Sequence, residues 1–319
     1  MNKDSKIFVA GARGLVGSAI KRELERNGFL NLIFPTSKEL DLRNFEQTKT
    51  FFNTVKPEYV FLAAAKVGGI HSNNTYPADF IFDNIQIQTN VIHHSWLSGV
   101  KRLLFLGSSC VYPRDCPQPI KEEYLLTGPL EKTNEPYAIA KITGIKMCES
   151  YNRQYKTKFL AAMPTNSYGK NDNYHPENSH VFPAFIRKTH EAKIAGASSI
   201  EHWGTGNPKR EFLCSDDVAS ACLFLMKQPD EVLFLSEFPL YNVGLGEDLT
   251  IRELAETMKK IIEFKGKIVW NPSKPDGTMQ KLLDISKIKK LGWKPKISLE
   301  DGIRIAYEDF KQLSGEHHN

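Results

Sequence analysis

The sequence predicts an α/β fold, a doubly wound parallel sheet followed by a smaller C-terminal α/β domain. Three observations predict it. Short apolar runs alternate with stretches of helical spacing, the pattern that builds parallel sheets. Gly11, Gly14 and Gly17 follow the first apolar run and open the first helical stretch, as in a Rossmann nucleotide-binding turn. After Pro164 the alternation gives way to a long polar loop. The expected division is a dinucleotide-binding domain over residues 1–165, with returns near 212–245, and a substrate domain over 166–211 and 246–319.

The elements follow in order. Lys6–Ala10 is a short apolar run ended by glycine, which reads as a buried parallel strand. Leu15–Asn27 carries Leu15, Val16, Ala19, Ile20, Glu23 and Leu24 at helical spacing, and Gly28 suits its C-terminal cap. Leu32–Thr36 reads as the second strand, Phe45–Val55 as a helix, and Tyr59–Ala63 as the third strand. Phe80–Ser98 is a long helix with Ile81, Ile85, Ile92 and Trp96 on related faces. Arg102–Gly107 is the fourth strand. A second long helix starts near Pro136, which suits a first turn, and runs to about Tyr155. Phe159–Met163 is the fifth strand. Asn166–Ser179 reads as a long functional loop and Val181–Ala195 as a helix. Phe212–Met226 and Tyr241–Val243 read as returns to the first domain, and a smaller cap follows from Gly246.

With 319 residues, 41% hydrophobic and 25% charged, the chain has an ordinary globular balance. The net charge of +5 is spread without a run of five like charges, so it gives solubility or weak attraction to small anions rather than a nucleic-acid footprint. The five cysteines (Cys110, Cys116, Cys148, Cys214 and Cys222) are odd in number and lack metal-binding spacing. They predict a reducing compartment and no metal site. Met1–Lys6 runs straight into a strand without a long apolar stretch, so the expectation is a soluble, cytoplasmic protein with no membrane partner. His317-His318 is too short to be a tag.

Tyr137 and Lys141 lie four apart, on one face of the second long helix. A lysine ammonium beside a phenol favours tyrosinate, and is expected to bring the tyrosine down toward working pH. Ser108, from the end of the fourth strand, can hold the same carbonyl oxygen. This set suits hydride transfer at a carbonyl or alcohol. Cys110 is two residues beyond Ser108, and reads either as a buried hydrophobe or as a proton-transferring base. His180 starts a helix after the long loop and reads as structural or chemical. Trp203, Arg210 and Lys188 surround Gly204-Thr205-Gly206, where Arg210 would suit a phosphate and Trp203 a base or sugar. Packing and surface charge explain these residues equally well at this point.

The turn Gly11-Ala12-Arg13-Gly14-Leu15-Val16-Gly17 lets a pyrophosphate approach a helix N-terminus. Its glycine spacing resembles short-chain dehydrogenases of the extended type. An acid at the end of the second strand would bind the ribose of NAD. Here Phe34-Pro35-Thr36-Ser37-Lys38 has no acid before Glu39, and Arg13 and Lys38 can meet a 2′-phosphate. This favours NADP, unless both are merely solvated charges.

Longer strings carry a closer resemblance. Ala63-Ala64-Ala65-Lys66-Val67-Gly68-Gly69-Ile70, Asn73–Phe80 and Leu106-Gly107-Ser108-Ser109-Cys110-Val111-Tyr112-Pro113 resemble the GDP-L-fucose synthase family. So do Thr133–Lys141, Met163-Pro164-Thr165-Asn166 and Lys274-Pro275-Asp276-Gly277-Thr278. The resemblance spans nearly the whole chain. It implies an NADPH-dependent homodimer, joined through the two long helices, that takes GDP-4-keto-6-deoxymannose to GDP-L-fucose. It makes Cys110 the base and His180 the acid of C3 and C5 epimerisation. Tyr137 becomes the proton donor of C4 reduction, with Lys141 and Ser108 assisting. It places the cofactor on Gly11 to Gly17, Ser37, Lys38, Ala64, Leu106, Gly107, Ser109, Lys141, Pro164, Thr165, Asn166, Ser167 and His180. It places the GDP-sugar on Lys188, Trp203, Arg210 and Asp276. One departure is Ser37, where the family often has an arginine for the 2′-phosphate; the loops Lys170–Tyr174 and Arg114–Gln118 also differ.

Three alternatives stand beside this reading. A relative could reduce a GDP-4-keto sugar, such as a heptose, without epimerising it. A 4,6-dehydratase or 4-epimerase could use the same fold, but a dehydratase would want an Asp-Glu pair where Ser109-Cys110 stands. A non-catalytic nucleotide sensor would be expected to lose Tyr137 or Lys141, and both are present.

Overall fold

The computed structural model describes residues 1–234, 238–274 and 276–315. Pro275, in the last resembling string, and His317-His318 lie outside these described residues. The chain opens with β1 (Ile7–Ala10), α1 (Leu15–Arg26), β2 (Leu32–Ile33), α2 (Phe45–Val55) and β3 (Tyr59–Leu62). Next come α3 (Ile70–Thr75), α4 (Pro77–Leu97), β4 (Arg102–Leu106), α5 (Glu135–Tyr155) and β5 (Phe159–Pro164). Then follow β6 (Asn166–Tyr168), α6 (Val181–Ile194), β7 (Ser199–Trp203), β8 (Lys209–Arg210) and β9 (Phe212–Cys214). After these, α7 (Ser215–Lys227) and α8 (Asp230–Leu233) precede β10 (Leu240–Val243). The last part holds β11 (Leu249–Thr250), α9 (Ile251–Ile262), β12 (Lys267–Asn271), β13 (Gln280–Lys281), α10 (Ser286–Lys290) and α11 (Leu299–Leu313).

Six strands form one sheet in the order β10–β5–β4–β3–β1–β2, with every neighbouring pair parallel. Helices cover both faces of such a sheet, so its strands are apolar throughout. Every residue of β1 and β4 is buried. From β1 the chain steps outward to β2, then returns past β1 to β3. That reversal opens a crevice beyond the carboxyl ends of β1 and β3.

The edge strand β2 is shorter than the predicted Leu32–Thr36. Pro35 has no N–H for a ladder, and Thr36 N–H bonds the Glu39 carboxylate instead, at 2.7 Å. At the end of α1, Asn27 is the cap and Gly28 follows it at φ +73°. Helix α4 starts at Pro77, three residues before the predicted Phe80, because proline is accepted in a first turn.

Part of the predicted long loop is β6, which pairs in parallel with β9. This small sheet is a seam. Leu213 of β9 packs into the large core around the main sheet, while Phe212 and Cys214 face a second core with Tyr168, Phe182 and Phe310. Alternation along one strand thus serves both cores. The strand β10 joins the main sheet and α7 lies along α1. Late in the chain, Leu283, Ile285, Ile288 and Trp293 also pack into the large core.

Candidate active site

The turn after β1 has the shape a dinucleotide needs. Gly11 has φ +84°, and a Cβ there would lie 2.7 Å from the Ala64 backbone at the end of β3. A Cβ on Gly17 would lie 2.0 Å from Gly11 O, so α1 packs directly on the turn. No side chain caps the N-terminus of α1 and no acid stands in its first turn. Its N–H groups suit a pyrophosphate. At the end of β2 the one acid, Glu39, is turned back on Thr36, which holds its carboxyl below the usual range with a smaller contribution from Arg13. Arg13, Ser37 and Lys38 are exposed nearby. This donor set fits a cofactor with a 2′-phosphate.

The carboxyl ends of β4 and β5 complete the edge. Leu106 is buried at the end of β4, with Gly107, Ser108 and Ser109 following. Pro164 ends β5, and Thr165 N–H donates to Val243 O at 2.9 Å. Asn166 Nδ2 donates to Glu211 O at 2.9 Å and Ser167 Oγ to Thr165 O at 3.1 Å.

Four predicted catalytic residues meet here. Lys141 is buried in α5, and its Nζ donates to Leu106 O at 2.7 Å. The same Nζ stands 5.8 Å from the Tyr137 ring centroid. Cys110 N–H donates to Ser108 Oγ at 3.4 Å. The Ser108 hydroxyl also lies close enough to Tyr137 to favour its ionised form.

The charge state of Tyr137 departs from expectation. Burial raises its pKa, Cys110 adds to the rise, and the nearby Ser108 hydroxyl only partly opposes it. Burial meanwhile lowers Lys141 to about 8. The lysine spends its hydrogen bond on Leu106 O rather than on the phenol, so desolvation outweighs its field. Burial thus favours the protonated phenol of Tyr137 over tyrosinate. Burial likewise raises the Cys110 thiol, against the opposing charges of Lys281 and, more weakly, Lys141.

His180 is the N-cap of α6, with no capping bond from its side chain. The residue is exposed, and the protein around the ring shifts its pKa downward. Its approach to the edge is indirect. The residues just before it touch the β3–α3 connection, where Gly69 N–H donates to Asn178 O at 3.2 Å. Next to Gly69, Gly68 leaves room for Phe80, whose ring meets Tyr137 edge-on at 6.3 Å.

The four predicted substrate residues all lie in the chain after β6. Asp276 accepts from Thr205 N–H at 2.9 Å and Thr205 Oγ at 2.7 Å, which ties it to the Gly204-Thr205-Gly206 turn. A Cβ on neighbouring Gly277 would stand 3.0 Å from Arg210 Nη2. Trp203 is 66% exposed at the end of β7, with Lys274 Nζ 5.4 Å from its ring, so its face is open to a planar ligand. Lys188, on α6, has its pKa lowered by burial.

Residues 7–244 match the model of the NAD dependent epimerase/dehydratase family. The chain belongs to the NAD dependent epimerase/dehydratase family. It is 57% identical over 307 residues to GDP-L-fucose synthase 1 of Arabidopsis thaliana, covering 96% of this chain and 93% of that protein. It is 51% identical over 308 residues to GDP-L-fucose synthase of Escherichia coli (strain K12), covering 96% of each. Among solved structures, MlghC, the GDP-mannoheptose C4 reductase from Campylobacter jejuni with NADP bound, superposes with TM-score 0.90 at 43% identity, covering 98% of this chain and 99% of that one.

In this epimerase/dehydratase-family chain, two residues at the site escaped sequence reasoning. Lys281, on β13, is the charge that most favours a Cys110 thiolate. The strand carries it there by pairing with β8, Lys281 opposite Arg210. A lysine five residues beyond Asp276 gave no signal by type or spacing. Glu211 is fully buried, and its carboxylate accepts from Gly246 N–H at 2.7 Å and Leu283 N–H at 3.1 Å. It joins three segments beside the site. An acid directly after Arg210 reads in sequence as an ordinary charge pair.

Proposed function

We propose that this chain is an NADPH-dependent nucleotide-sugar oxidoreductase that converts GDP-4-keto-6-deoxymannose to GDP-L-fucose, with epimerisation at C3 and C5 before reduction at C4. The observation that carries the reading is a thiol, Cys110, in the same pocket as Ser108, Tyr137 and Lys141. The high identity to GDP-L-fucose synthases along almost the whole chain supports it.

The C4 ketone acidifies both neighbouring carbons, because the electron pair left behind becomes an enolate. Cys110, as thiolate, takes the proton, and His180 returns one to the opposite face. The Ser108 and Tyr137 hydroxyls hold O4 while negative charge builds there. NADPH, when bound, supplies the hydride that reduces C4. Tyr137, kept protonated by its surroundings, then gives its phenolic proton to O4. We assign Lys141 to the nicotinamide ribose and to recharging the phenol. The glycine turn, Arg13 and Lys38 hold the cofactor's phosphates. Arg210 and Lys188 take the sugar nucleotide's diphosphate, Trp203 its planar or sugar face, and Asp276 orders the adjoining turn.

The same reading makes the molecule a homodimer joined through α4 and α5, and the exposed Phe82, Leu97 and Ile139 support that face. It also makes it cytoplasmic, in keeping with five free cysteines. Among the described residues no helix is long and apolar enough to cross a membrane.

The likeness to MlghC favours a second reading, reduction of a GDP-4-keto-heptose at C4 without epimerisation. NADPH oxidation with the two ketosugars separates them. A higher kcat/KM for GDP-4-keto-6-deoxymannose, with GDP-L-fucose as product, bears out the first. A higher kcat/KM for the heptose, with its stereocentres retained, bears out the second.

A further inference from the structure

The His180 backbone is tied into α6, its carbonyl accepting from Ala184 N–H at 3.1 Å, but no side-chain bond orients its ring among the described residues. Its position is inherited from the backbone before it, and that backbone is held from two sides. On one side, the loop after β6 is tied to α11. Asn171 N–H donates to Asp309 Oδ2 at 2.7 Å, and Tyr174 O–H donates to Ala306 O at 2.8 Å. Within the loop, His175 Nδ1 accepts from Glu177 N–H at 3.2 Å and Asn178 N–H at 3.3 Å.

The other side is the β3–α3 connection of the first domain. Buried Ser72 donates from Oγ to Asn178 Oδ1 at 2.8 Å, two residues before His180. Gly69 N–H donates to Asn178 O at 3.2 Å. A Cβ on Gly69 would lie 2.9 Å from Ser179 O, so this approach admits no side chain. Asn73 Nδ2 stiffens the connection by donating to Gly68 O at 2.8 Å and Gly69 O at 3.0 Å. The connection packs on Phe80, and Phe80 on Tyr137.

We infer that Ser72 and Asn178 form a latch between the two parts of the molecule, and that Asn178 is a positioning residue setting His180 opposite Cys110. This rests on the proposed roles of His180 as acid and Cys110 as base. Base and acid belong to separate chain segments, so epimerisation needs a fixed span between them. Hydride transfer takes its proton from Tyr137, beside Ser108 and Lys141, and needs no proton from His180. The latch therefore governs one half of the reaction and not the other.

The test reads the two halves separately on the full-length protein. Deuterium incorporation at C3 and C5 of GDP-4-keto-6-deoxymannose in D2O reports proton transfer. The initial rate of NADP+ reduction by GDP-L-fucose reports hydride transfer without epimerisation. Ser72→Ala and Asn178→Ala are each expected to slow exchange by up to about 10²-fold, the order that a 1 Å misplacement costs. NADP+ reduction should stay within about 2-fold, since no group that touches the reacting carbon is removed. The double variant should be no slower than the slower single, because both remove one bond. Ser72→Thr, which keeps the hydroxyl, should restore exchange. Melting temperatures of all variants identify any loss of fold.

Equal losses in both rates, or no loss of exchange in either single variant, would overturn the latch. His180→Asn separates this from the reading beneath it. If His180→Asn abolishes exchange while Ser72→Ala and Asn178→Ala do not slow it, the acid stands and the latch fails. If His180→Asn leaves exchange intact, the acid assignment fails and the latch with it.

Discussion

At the scale of single residues, the site is governed by desolvation more than by neighbouring charge. Burial raises Tyr137 and Cys110 and lowers Lys141. A raised thiol is protonated at neutral pH, and its base form grows as pH climbs toward the shifted value. Thiolate formation favours C3 and C5 exchange as pH rises above neutrality, while loss of the His180 proton opposes it. Lys281→Met removes the strongest charge opposing the thiol's shift, so it should move thiolate formation to higher pH and slow exchange at pH 7. Deuterium incorporation followed from pH 6 to pH 10 in both proteins checks this; exchange in Lys281→Met as fast as in the unaltered chain at every pH contradicts the thiolate role. Tyr137, Lys141 and Ser108 were legible because their spacing and the strand-end context define a chemistry, whereas Cys110 took its reading as a base from the family resemblance. The direction of the tyrosine shift was not, because a helix wheel shows who is near but not what a buried lysine bonds. Lys281 was hidden for a related reason. Its place depends on β13 pairing with β8, a contact between short segments with no pattern of their own.

At the scale of elements, alternation and helical spacing were readable wherever the segment was long and buried. Helix α2 falls on its predicted bounds, Phe45–Val55, and β1, β3, β4 and β5 each fall within a residue or two of theirs. Short pieces were not readable. β6 has three residues inside a loop rich in turn formers, and only its partner β9 makes it a strand. The loop that follows carries a pH-sensitive group. Burial, reinforced by Asp309, raises Asp172 to about 7. The native state then holds a proton that the unfolded chain has released, between the ordinary aspartate value near 3.8 and about 7. Stability should fall as pH rises through that window and level off above it, by at most about 1.4 kcal/mol per pH unit. Asp172→Asn should remove the slope. Urea melts between pH 5 and pH 8 measure it, and an unchanged slope in the variant contradicts the assignment.

At the scale of the whole molecule, the parallel sheet brings the cofactor turn and the strand-four residues to one edge, and the second part of the chain closes over it. The fold class followed from alternation and three glycines. The seam did not, since β9 serves two cores and Leu283, Ile285, Ile288 and Trp293 return to the first core from late in the chain. Such crossings depend on which packing buries more apolar surface, which no local pattern records. The α4–α5 face leaves Ile139 40% exposed and Phe82 60% exposed. A charge there should split a dimer, so Ile139→Glu is expected to sediment as a monomer while the unaltered chain sediments as a dimer; a monomeric unaltered chain contradicts the proposal.

The central claim is that one pocket both moves protons at C3 and C5 and reduces C4. It is tested most directly by turning over GDP-4-keto-6-deoxymannose with NADPH in D2O and reading the product by NMR, alongside Cys110→Ser. The account predicts GDP-L-fucose carrying deuterium at both C3 and C5, and no such product from Cys110→Ser. A reduced sugar without deuterium at those carbons, with its starting configuration retained, would contradict it.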